Sequence, residues 1–290
     1  MPSTDRRRLI ISAIIGVLLV SGYAGLLIYY QAESSSRGST VTVGDATAPT
    51  RLDVSARLLS VDPQTGQASV RLAFTPTGDL SAQDGSLATG IRLFVNVASG
   101  APERSFEKGK NIAPFDAALD LTDGSITSYP FDRYTTDLYI LATRAGSDAA
   151  GTPVDVPIVI EFDGTLHGLS VDGTELKSAE DGGVSALGIE ISRSPTTLAV
   201  AIFVGILLLL VAVTVLVLTL AIAVFGRKLE PPIIALQGAL LFGFVAFRNA
   251  QPGAPPVGAL SDYLSFFWAE GIVAACLFVL VLIYFRRMAR

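Results

Sequence analysis

The chain has 290 residues, half of them hydrophobic, only 16% charged, and a formal net charge of −5. A soluble domain carries about 25% charged residues, so the deficit points to a membrane protein. The surplus of acid in the segment 31–195 excludes a nucleic-acid binder, which needs a basic surface.

Residues 1–8 form a basic N-terminus with Arg6, Arg7 and Arg8. Residues 9–30 follow without a charge and are long enough to span a bilayer. The run is too long for a signal-peptide core and ends in "YYQAESSS", with tyrosines rather than a small-residue cleavage site, so it reads as an uncleaved anchor. Within it, Ser21 and Gly25 make a small pair four residues apart that favours close helix approach.

Segment 31–195 reads as one β-rich domain outside the membrane. Ser34 to Gly44 is polar and reads as a stalk, with structure expected from Arg51. "RLDVSARLLSV" and "QASVRLAFTP" alternate in character and flank "DPQTG", which predicts a hairpin turning over Asp62 to Gly66. "GIRLFVNVAS" predicts a third strand. Two more lie in "AALDLTDGSITSYPFDRYTTDLYILATR", with a turn at Asp123-Gly124. "VPIVIEFDGTLHGLSVDG" and "VSALGIEISRS" complete the series. Short strands with turn signals and no helical period argue a sandwich or open barrel. Asp-Gly pairs recur at 84, 123, 163, 172 and 181, and read as turns because no calcium loop of alternating aspartates accompanies them.

The single cysteine, Cys276, leaves no disulfide within the chain, so the domain must be held by its core. No catalytic, cofactor-binding or metal-binding set emerges. The one histidine, His167, has no nucleophile motif beside it, and no phosphate-binding glycine loop occurs.

Three apolar runs close the chain: 196–225, 231–247 and 263–285, with an outer loop at 248–262 and a basic tail at 286–290. Arg227 and Lys228 follow the first of these, and Arg286, Arg287 and Arg290 follow the last. With four crossings, every basic cluster falls on the cytoplasmic side. The expected architecture is therefore an α+β membrane protein. It has an N-terminal transmembrane anchor, an extracytoplasmic antiparallel β-sandwich-like domain and a C-terminal three-helix transmembrane bundle. Both termini are expected in the cytoplasm and the chain in the plasma membrane.

Two stretches stand out. One is "YPFDRY", from Tyr129 through Pro130, Phe131, Asp132 and Arg133 to Tyr134. The other is "RNAQPGAPPVGALSDYLSFFWAE", with Arg248, Asp262 and Glu270, three prolines and an interfacial aromatic cluster. Together they resemble a family of membrane proteins, mainly actinobacterial, that is catalogued as a domain of unknown function. The resemblance implies the same anchor, outer domain and bundle, and no catalytic residues. "YPFD" alone is similar to the aromatic-Pro-Phe-Asp turn of pentameric ligand-gated channels, which sits at the base of an extracellular sandwich against the membrane bundle. Those channels place about four spans after the sandwich, where three are expected here.

The turn is expected to dock the two layers, with Phe131 buried as a plug and Asp132 engaging an amide or an arginine. Glu270, a charge inside an apolar run, is expected to pair with Arg248 or to mark an ion or headgroup site. The absence of catalytic motifs argues a non-enzymatic envelope scaffold or binding protein. The alternatives are a ligand-responsive channel or transporter coupled through "YPFDRY", and a membrane enzyme using carboxylates. The partners implied are the lipid bilayer and either another envelope membrane protein or a second copy of the chain.

Overall fold

The computed structural model describes residues 25, 40–147, 153–176, 184–253 and 255–289. Apart from Gly25, the expected anchor at 9–30 lies outside them, as does the Asp181-Gly182 pair.

Two β-sheets face each other. The first has the order β1 (Thr40–Val43), β9 (Ile158–Asp163), β2 (Leu52–Asp62), β3 (Gln67–Pro76), β6 (Phe115–Asp120). The second runs β10 (Leu169–Glu175), β11 (Val184–Arg193), β7 (Arg133–Ser147), β4 (Ile91–Val95), β5 (Glu103–Phe106), and β8 (Pro153–Asp155) also pairs with β7. The pairing is antiparallel except at β2 and β9, which run parallel, so the all-antiparallel expectation is corrected there.

Alternation builds the core. Leu52, Val54, Ala56 and Leu58 of β2 point inward, as do Ala68, Val70, Leu72 and Phe74 of β3. A register shift between Leu58 and Ser60 lets Leu58 and Val61 both reach the core, where strict alternation would point one of them outward. The second sheet contributes Ile91 and Leu93, Leu138 and Ile140, and Leu187, Ile189 and Ile191.

The expected hairpin is present, with Asp62 opposite Gln67. Two expectations fail for stated reasons. Thr40–Val43, read as stalk, is strand β1, because the edge of β9 offers it a partner from Asp163 to Ile160. Asp172-Gly173, read as a turn, lies inside β10 opposite Glu190 and Ile189. Space is tight there: a Cβ on Gly173 would lie 3.2 Å from Phe162 and 3.3 Å from Leu187.

Strand β11 runs into helix α1 (Pro195–Ala223) with only Ser194 between. Ser194 caps the helix, its Oγ accepting from the Thr197 N–H at 3.2 Å, and Pro195 supplies the first helical position. The Ser194 N–H and the Thr197 hydroxyl both donate to the Gly168 carbonyl, at 3.1 and 3.0 Å, which pins the first turn to the β9–β10 connection. Helix α2 spans Pro231–Asn249. A π-helical turn at Asp262–Phe266 leads into α3 (Phe267–Met288). All three helices are long and apolar enough to cross a membrane, with mean hydropathies of 3.2, 1.5 and 2.5.

The helices meet along a seam spaced three and four residues apart. Leu208, Ala212, Val215, Thr219 and Ile222 lie on α1, and Ala269, Val273, Cys276 and Leu280 on α3. Gly205 allows close approach, since a Cβ there would lie 3.2 Å from the Ser265 hydroxyl.

Gly124 gives a test of the turn that leads into "YPFDRY". Its φ is +106°, and a Cβ there would run into the Arg133 carbonyl oxygen. Gly124→Ala is expected to cost about 2–4 kcal/mol, read as a lowered Tm of the full chain in detergent.

Candidate functional site at the sandwich–bundle junction

The site begins with a short turn. Ile126–Ser128 forms one 3-10 turn capped by Ser125, and the Phe131 N–H donates to the Ser128 carbonyl at 2.9 Å. The Tyr129-Pro130 peptide is cis. Alternation from Pro130 onward sends Pro130, Asp132 and Tyr134 inward and Phe131 and Arg133 outward, and Tyr129, before the turn, is buried as well.

Asp132 is buried, with a fully covered side chain. Its partner is Arg193, the last residue of β11, at 3.0 Å from Nε and 2.8 Å from Nη2. The Tyr134 hydroxyl donates to the same carboxylate at 2.7 Å. The Arg193 guanidinium lies 5.1 Å from the Tyr129 ring centroid, within cation–π range. Gly253 closes the far side, where a Cβ would strike Arg193 Nη1. One cation is thus enclosed by three segments: the "YPFDRY" turn, the strand that enters α1, and the connection between α2 and α3.

A second buried pair holds that connection in shape. Arg248 Nε and Nη2 each reach Asp262 at 2.9 Å, a bidentate arrangement. Nη2 also donates to the Pro256 carbonyl at 2.7 Å, and the Gly258 N–H donates to Asp262 at 2.8 Å. Both side chains are buried. The loop so ordered presents the Ser261 N–H, which donates to the Tyr129 carbonyl at 3.1 Å. Tyr129 itself is fully covered, packed with Ala201 of α1 and Ala259 of the loop.

Burial pushes the Tyr129 phenol up to about 12, and that of Tyr134 higher still, with the Asp132 hydrogen bond adding to the effect of burial on Tyr134. Both phenols are neutral in the folded protein well above pH 10, whereas in the unfolded chain they ionise near that value. Their contribution to stability is present below pH 10 and is lost as the pH rises beyond it.

The residues singled out in the sequence separate into three groups. Asp132 engages an arginine as expected, and that arginine is Arg193, which the sequence reading passed over. Its signal was its place as the last charge before a long apolar run. Phe131 is not the buried plug: it is 54% exposed, and Tyr129 holds the buried position. The reason is the alternation along the chain, which cannot bury Phe131 and Asp132 together. Arg133 is exposed and meets Glu190 at 3.5 Å.

Glu270 does not pair with Arg248, whose fork is occupied by Asp262. Glu270 lies about 12 Å further along the helix, beyond the reach of that guanidinium. Its Oε2 is buried without a hydrogen-bond partner among the described residues. A polar pair inside the bundle also escaped the sequence reading: Gln237 Nε2 donates to the Thr219 hydroxyl at 3.0 Å, both side chains being buried. His167 is exposed in the β9–β10 connection. Among the described residues no three histidine, cysteine or acidic side chains converge on a metal position.

These features define a membrane protein class in which a β-sandwich sits directly on a helical bundle, joined to it by hydrogen bonds and by the packing of Tyr129, with a buried ion pair on each side of the junction. Residues 42–191 match the family described as a domain of unknown function (DUF4436), and the chain belongs to that family. Residues 193–287 match a second domain of unknown function (DUF8686). The two matches abut at the end of β11, where Arg193 closes the junction. No curated protein matches the chain.

Two substitutions separate the roles of neighbouring residues. Asp132→Asn leaves Arg193 buried without an anion and is expected to cost about 3–5 kcal/mol. Phe131→Ala is expected to cost under about 1 kcal/mol in detergent, as for other exposed positions. Thermal melts of the full-length variants check both.

Proposed function

We propose that the protein is a non-enzymatic envelope binding protein whose outer sandwich and membrane bundle act as one coupled unit. In this reading it is a multi-pass protein of the plasma membrane, with residues 31–195 outside and both termini in the cytoplasm. Its partners are the bilayer and either another envelope membrane protein or a second copy of the chain. The observation that carries the reading is the Asp132–Arg193 pair, because Arg193 leads within two residues into α1. A displacement of β7 or β11 by a bound partner must move the guanidinium, and with it α1 and the Gly253 segment.

A second reading, a ligand-responsive channel, is favoured by one observation. The aromatic-Pro-Phe-Asp turn meets the bundle at the base of the sandwich, through the Ser261 to Tyr129 hydrogen bond and the packing of Tyr129 on Ala201. That is the place the similar turn holds in pentameric ligand-gated channels.

Hydrogen exchange on the full-length protein tests the coupling. Asp132→Asn is expected to speed amide exchange over residues 250–261 by about tenfold or more under native conditions where the β2–β3 hairpin stays protected. Unchanged exchange in that loop would reject it. Ion flux in proteoliposomes that Asp132→Asn abolishes would favour the channel over the scaffold. External protease that cuts the sandwich but spares tags at both termini is the expected topology result.

A further inference from the structure

Beneath the Tyr129-Pro130-Phe131 turn, an apolar crevice opens between α1 and the start of α3. Phe131, Ile202, Ile206 and Leu264 form its walls, and Gly205 and Ser265 its floor. All four wall side chains are exposed, although each is large and apolar. Ile206 lies about 16 Å along α1 from Pro195, so the crevice opens within the hydrocarbon layer on the sandwich side. It is continuous with the exposed apolar surface of the same helices at Phe203, Leu210 and Phe267.

An exposed cation lies on the sandwich side of the crevice, since Arg133 begins β7 opposite Ser192 of β11. Arg133 follows Phe131 by two residues, and both turn outward while Asp132 and Tyr134 turn inward. Two residues of chain keep their Cα atoms within about 7 Å of each other, so a lipid lying against Phe131 has its phosphate within reach of the long Arg133 side chain. The Arg133–Glu190 contact of 3.5 Å joins two exposed side chains and competes weakly with a phosphate, which offers a charge-assisted, bidentate acceptor.

We propose that the crevice and Arg133 together bind one anionic phospholipid from the leaflet on the sandwich side. An acyl chain lies against Phe131, Ile202, Ile206 and Leu264, and the phosphate rests on Arg133. The crevice wall is the turn that carries Tyr129 and Asp132, so the lipid touches the element that seats the sandwich on the bundle. The inference requires only that the helices lie in a membrane, and it stands under either reading of the function.

The test uses full-length protein in vesicles doped with phosphatidylglycerol carrying a photoactivatable diazirine in one chain, with phosphatidylcholine bearing the same chain as the comparison. Phe242 on α2 and Phe278, about 16 Å further along α3 than Phe267, are exposed away from the crevice and report ordinary lipid contact. Labelling mapped by mass spectrometry is expected to be several-fold higher at Phe131 and Leu264 than at those two positions, and higher with phosphatidylglycerol. Ile206→Trp, which fills the crevice from its open side, is expected to remove the excess. Arg133→Gln is expected to equalise the two lipids.

Equal labelling of the crevice and the reference positions overturns the proposal, and this comparison needs only the wild-type chain. A phosphatidylglycerol preference that survives Arg133→Gln also overturns it. So does a diazirine-bearing residue placed at Leu264 that cross-links to residues 9–30 or to a second copy in place of lipid.

Discussion

The placement of Arg193 constrains everything around it. The residue closes a strand of the sandwich and stands two positions before a helix of 29 residues without a charge. A guanidinium there cannot enter the apolar helix, and the chain is too short at that point to carry it away. It is covered instead, and a covered cation is tolerable only beside an anion with its remaining donors and lone pairs matched. Asp132 supplies the anion, the Tyr134 hydroxyl a further donor to it, and the Tyr129 ring a face for the guanidinium. The geometry of the whole turn follows from that requirement.

The junction has no linker that would let the two layers move apart. One covalent connection runs from β11 through Ser194 into α1, and non-covalent contacts fix its surroundings. The Gly168 carbonyl takes two hydrogen bonds from the first turn of the helix. The loop between α2 and α3 returns to the same place because Arg248 and Asp262 fold it into a compact unit. Pro252, Pro255 and Pro256 restrict the unfolded alternatives of that loop, which lowers the entropy lost on ordering it. The two ion pairs therefore work in series: the second shapes the loop, and the loop covers the first.

Deeper in the bundle, polarity is sparse and placed with economy. Thr214 returns its hydroxyl to the Leu210 carbonyl of its own helix, while Thr219 receives Gln237 across to α2. A hydrogen bond between helices in an apolar medium sets their relative rotation, because sliding by one residue would strand the amide. Glu270 is the one carboxylate of α3, in its first turn, with one oxygen buried and no described partner for it.

Much of the sandwich was legible because each strand has one face toward water and one toward the core, and that contrast writes itself into alternate residues. The hairpin at Asp62 to Gly66 and the strand after "YPFDRY" could be read directly. Where a segment is short or lies at an edge, the contrast fades: Thr40–Val43 reads as stalk until β9 is there to pair with it. The three helices were legible in length and number, but not in which face meets which. Lipid and helix neighbours are equally apolar, so the seam through Leu208, Ala212 and Val215 leaves no periodic mark. The sequence by itself determined the β-rich domain, the three apolar helices that follow it and the place of the "YPFDRY" turn between two strands. Only the tertiary structure decided that Tyr129 rather than Phe131 is buried, that Asp132 meets Arg193, and that Arg248 meets Asp262 rather than Glu270. Those choices depend on distances across 14 and 61 positions of chain, and no local pattern of residues records such distances.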